Sequence, residues 1–114
     1  MFFLEEDSVS VLSRTLITLT VLTCASSAWA NPFPAGDREH GRSLHASKCV
    51  SCHNSMMPGN RGEELYDEFN RKVKTISQLR GMVDFCANRT KTGWFDEEVI
   101  SVSRYLNDQH YQFK

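Results

Sequence analysis

The chain has only four cysteines in 114 residues, and their spacing does not suit a disulfide scaffold. It also lacks an apolar run long enough for a membrane span. The stretch Leu16 to Ala25 is about ten residues, where a span needs roughly twenty. No excess of either charge is present: 13 Lys and Arg stand against 14 Asp and Glu, a formal net charge of -1. A dedicated nucleic-acid binder shows a basic excess, so that class is excluded. Strand-like alternation, internal repeats and low-complexity tracts are missing. The length allows one small domain and excludes a multidomain enzyme.

The short apolar run ends in Ala28-Trp29-Ala30, with small residues at the two positions a signal peptidase reads. Residues 1–30 are therefore read as a secretory signal peptide, with cleavage before Asn31 and a periplasmic destination. Glu5, Glu6 and Asp7 precede the apolar run and only Arg14 is basic. A start assigned too far upstream would account for this. Val21-Leu22-Thr23 ahead of Cys24 is a poor lipobox. Cleavage leaves 84 residues, with 12 basic against 11 acidic. Residues 31–36, with Pro32 and Pro34, are expected as a flexible leader, and 37–114 as the working domain. A domain this small gains little from a plain apolar core and often needs a staple.

Cys49-Val50-Ser51-Cys52-His53 supplies a candidate for that staple. C-x-x-C-H is the signature of covalent c-type haem attachment. Two thiols at this spacing add across the two haem vinyl groups, and the next residue lies under the porphyrin. His53 Nε2 is then the proximal iron ligand. A zinc site would need four ligands, and no second Cys pair or His pair stands at finger spacing. A thioredoxin-type motif needs a βαβ setting that the pattern does not provide. One covalent haem c is expected.

Local signals predict an all-α domain of three to four helices. Asp37 is placed to cap a helix running toward Cys49. Thr75-Ile76-Ser77-Gln78 has capping-box form, and Ile76, Leu79, Val83 and Cys86 then recur at helical steps. Met82 and Phe85 flank that stripe. Asp96 is placed to cap a last helix with Val99, Val102 and Leu106 on its apolar face. Glu63 to Asn70 is expected as one short helix and Asn54 to Gly62 as loop, with Pro58 setting the turn beneath His53. Tyr111-Gln112-Phe113 is read as an aromatic tail folded on the body.

The stretch from Gly41 to His53 resembles the entry to small class I cytochromes c. In that family a glycine eight residues before the first haem cysteine lets the C-terminal helix cross closely. Gly41 holds that position here, and Tyr105-Leu106 is similar to the family's aromatic-Leu pair. The resemblance covers residues 37–110 and implies helices wrapped around one covalently attached haem, with electron transfer as the function. Two departures stand out. His45 occupies a place often held by a bulky apolar residue. The loop Arg89 to Phe95, where the family brings a Met to the iron, holds none.

The sixth iron ligand is therefore open between Met82 and Cys86. Met56 and Met57 start on the proximal side, and His40, His45 and His110 read as solvated or helix-surface residues. The stretch Val83 to Asn88 is similar in placement to the ligand helix of small bacterial c-type haem proteins that bind oxygen or nitric oxide. These use an Asn beside a cysteine. Trp94-Phe95 is a candidate cover for the haem edge. Arg71-Lys72-Val73-Lys74, with Arg61 and Arg80, reads as a basic patch: either a solvated face or a surface that would steer an acidic redox partner or neutralise propionates. The expected role is one-electron transfer with periplasmic or membrane-bound redox proteins, without substrate chemistry. The alternative is a haem-based binder or sensor of small ligands.

Overall fold

The computed structural model describes residues 30–114; the rest of the expected signal peptide, including Cys24, lies outside the described residues. Among the described residues four α-helices and three shorter helical turns occur, and no strand. No helix among them is long and apolar enough to cross a membrane.

Helix α1 spans Arg38–Lys48. Asp37 caps it from an extended backbone, its carboxylate accepting the His40 N–H at 2.9 Å. The Cys49 N–H still bonds to the His45 carbonyl at 2.9 Å, and helix α2, Val50–Met56, starts at once. Two 3₁₀ turns follow, Pro58–Asn60 and Gly62–Tyr66, where one short helix and a loop were expected. Gly62, rather than Pro58, lies beneath the histidine: a Cβ there would come within 2.7 Å of His53 backbone.

Helix α3 spans Ile76–Arg89, with the Thr75 hydroxyl accepting the Gln78 N–H at 3.1 Å. The Gln78 side chain accepts from Lys74 instead of closing the box on Thr75. Helix α4 spans Asp96–Leu106. Its cap lies one residue earlier than expected. Phe95 holds the extended capping backbone, and its N–H donates to Glu98 Oε2 at 2.8 Å. Asp96 is the first helical residue and pairs with Arg80. A π-helical turn, Asn107–Tyr111, ends the helix. The Asn107 side chain clamps the tail, donating to the Phe113 carbonyl and accepting its N–H. Tyr111 is buried and Phe113 stacks on it at 5.4 Å, as expected of a folded tail.

Helices α1 and α4 cross in backbone contact. A Cβ on Gly41 would overlap the Ser101 carbonyl, so only glycine fits. Around the crossing lie Leu79 and Val83 from α3 and Val99, Val102 and Leu106 from α4, all buried. The α3 stripe turns through Ala87, while Cys86 is only half-buried. The segment 31–36, expected as a leader, lies against this body. Phe33 is 6% exposed within the core cluster, and the Gly36 carbonyl accepts Arg104 Nη1 at 2.7 Å.

Gly41→Ala must force the two helices apart. It is expected to lower stability by about 3 kcal/mol, measured by urea unfolding. A loss below about 0.5 kcal/mol would mean that the crossing is loose.

Candidate functional site

Cys49, Cys52 and His53 stand at i, i+3 and i+4 where α1 passes into α2, so they share one face. All three line a cavity of about 630 Å³, a volume typical of cofactor and ligand sites, about 300–1,000 Å³. The opposite wall comes from α3, with Leu79, Met82, Val83, Phe85 and Cys86. Val102 and Leu106 close the back, and Trp94 reaches the same space. Lys48, Lys72 and Arg89 are its basic lining residues. The wall is largely apolar, yet the cavity is open enough that Met82 is 41% and Phe85 59% exposed.

The three thiols facing the cavity, Cys49, Cys52 and Cys86, are free. Burial, with Cys86 and Cys52 nearby, pushes the Cys49 thiol up to about 11. Burial and Cys52 also raise Cys86, against a smaller opposing pull from Arg89. Both are therefore protonated thiols at neutral pH.

His53 is held by a residue that sequence reasoning missed. Its Nδ1 lies 2.7 Å from the Tyr66 hydroxyl, and the same hydroxyl lies 2.7 Å from His45 Nε2. His53 Nε2 has no hydrogen-bond partner among the described residues. His45 corrects the reading of it as a surface histidine: it is 4% exposed, buried between Tyr66 and Tyr105. A phenol buried in the core needs a polar partner, and His45 supplies it where an apolar residue would not. Burial first, then His53 and His110, lowers its pKa to about 4. His110 is half-buried with its ring 4.6 Å from that of Tyr66, so it too is more than a surface residue. His40 is exposed. The one signal for Tyr66 was Leu65-Tyr66 as an apolar pair inside an acidic stretch.

Other candidates separate. Met82 and Cys86 both reach the cavity; Met56 lines its edge and Met57 does not. Asn88 does not line it, and its amide turns back to the Asp84 carbonyl. The expected basic patch is divided. Arg71 stacks over Tyr111 and Phe113, Arg61 pairs with Glu64, Arg80 pairs with Asp96, and Val73 is buried.

No family model matches the chain, and no curated protein or solved structure matches it significantly. The fold and cavity define a small all-helical domain with a thiol- and imidazole-lined apolar site.

The depressed His45 pKa has a pH consequence. Unfolded, His45 takes a proton near pH 6.5; folded, it resists one until about pH 4. The unfolded state thus binds more protons in that window, and stability falls as pH falls through it. The His45 share of the loss is on the order of 3 kcal/mol by pH 4. Urea midpoints measured across the window should fall more steeply for wild type than for His45→Gln; equal slopes would contradict the assignment.

Proposed function

We propose that the chain is an exported monohaem cytochrome of the c type, with a class I-like fold, that carries single electrons in the periplasm. The observation that supports this most is the convergence of Cys49, Cys52 and His53 on one apolar cavity. Cys49 and Cys52 would hold the haem as thioethers, each S–H adding across one vinyl C=C bond. His53, with Nδ1 engaged by Tyr66, has Nε2 left to bind iron. Bound haem c supplies an iron centre that accepts and returns one electron.

The rest of the site does what such a centre requires of a protein. Leu79, Val83, Val102 and Leu106 keep water from the interior face. Lys48, Lys72 and Arg89 offer positive charge to the propionates, and Trp94 offers an indole N–H. Met82 is the preferred sixth ligand. A thioether ligates without losing a proton, as a thiol must. The partners would be periplasmic or membrane-bound redox proteins. The close α1–α4 crossing at Gly41 and the entry of the C-x-x-C-H segment directly after α1 support the cytochrome c-like reading.

A second reading, a binder or sensor of small ligands, is favoured by one observation. The loop 89–95 brings no Met, and the preferred candidate for the sixth position, Met82, is 41% exposed.

Absorption spectra of the reduced protein with and without carbon monoxide separate the two. The carrier reading expects no change with carbon monoxide in wild type or Cys86→Ser, and ready binding in Met82→Ala. Binding by wild type would instead support the ligand-binding reading.

A further inference from the structure

Tyr66 and His45 sit behind the proximal histidine in an arrangement that the haem reading alone does not require. The Tyr66 hydroxyl bridges the two imidazoles by hydrogen bonds, at 2.7 Å to His53 Nδ1 and 2.7 Å to His45 Nε2. Tyr66 and His45 are both buried, so their mutual contact is shielded from bulk water, while the contact to the half-buried His53 is part-buried. The phenol comes from the 3₁₀ turn Gly62–Tyr66 and His45 from α1, two separate elements. The turn is anchored independently: Gly62 N–H donates to the Asn54 side chain at 3.0 Å, and Gly62 packs on the His53–Asn54 backbone. The oxygen of Tyr66 is thus fixed relative to the ring it contacts.

The direction of this chain follows from valence. With His53 Nε2 committed to a metal, the ring's one proton sits on Nδ1 and is donated to the Tyr66 oxygen. Tyr66 then donates its own proton to His45 Nε2, which requires His45 to be neutral with its proton on Nδ1. Each bond polarises the next, so the acceptor strength of the Tyr66 oxygen depends on His45.

We infer that Tyr66 and His45 are positioning residues that set the donor strength of His53, and through it the reduction potential of the iron. The inference rests on the haem reading given above. An Nδ1–H donated to a fixed oxygen makes the imidazole a stronger electron donor at Nε2. A stronger donor favours the ferric state and lowers the potential. A hydroxyl polarised by a histidine behind it does this more than a lone hydroxyl would.

The test is the reduction potential of the haem-loaded wild type beside Tyr66→Phe, His45→Leu and His45→Gln. Unfolding by urea is followed in the same samples. Tyr66→Phe removes the acceptor and is expected to move the potential positive. His45→Leu leaves the acceptor unpolarised and should move it the same way by less. His45→Gln retains an oxygen that accepts from Tyr66 and should return it toward wild type. A merely structural pair would alter the urea midpoint in all three and leave the potential alone. If Tyr66→Phe carries haem at the wild-type potential, the inference is overturned while the haem reading stands. If wild type itself carries no haem, both are overturned.

Discussion

The backbone contact between Gly41 and Ser101 is the joint on which the rest of the structure depends. It lets α1 and α4 approach without a side chain between them. That closeness fixes the direction in which α1 runs on, through Cys49 into α2. The C-x-x-C-H segment has no core of its own, for no residue of α2 is buried. Its position comes from α1 at one end and from the Gly62 turn beneath it. Remove the joint and the thiols lose their relation to the α3 wall.

The same economy explains why the middle of so small a domain is open. Among the described residues nine buried side chains form the core cluster, and that cluster lies beside the cavity rather than filling it. A domain of this size has few apolar residues to spare. Here Met82 and Phe85 remain partly exposed on the rim instead of packing inward. A covalently held apolar group would complete the core and cover those side chains at once. Fold stability and function would then draw on the same contacts, and a bare chain would be the weaker form of the protein.

What the sequence disclosed was mostly local. Asp37 and Thr75 read as caps because a short polar side chain ahead of a periodic apolar run has one good use. The α3 stripe was visible at Leu79 and Val83 for the same reason. Phe95 hid the true start of α4, because the capping group there is Glu98 reaching back. The motif Cys49 to His53 declared its three residues by spacing alone. Its support did not: His45 and Tyr66 are 21 residues apart, and nothing in either neighbourhood announces the other. The basic run 71–74 was legible as charge but not as contacts: Arg71 stacks on Tyr111 and Phe113, while Lys72 lines the cavity. Phe33 entered the core from a proline-bounded stretch that composition marks as leader.

The central claim is that Cys49 and Cys52 bond a haem in this cavity. The direct measurement is the intact mass, under denaturing conditions, of the protein exported from a cell that attaches c-type haem. The expected result is the chain from Asn31 plus one haem, lost in the Cys49→Ser, Cys52→Ser double variant. A wild-type mass equal to the bare polypeptide would contradict the account.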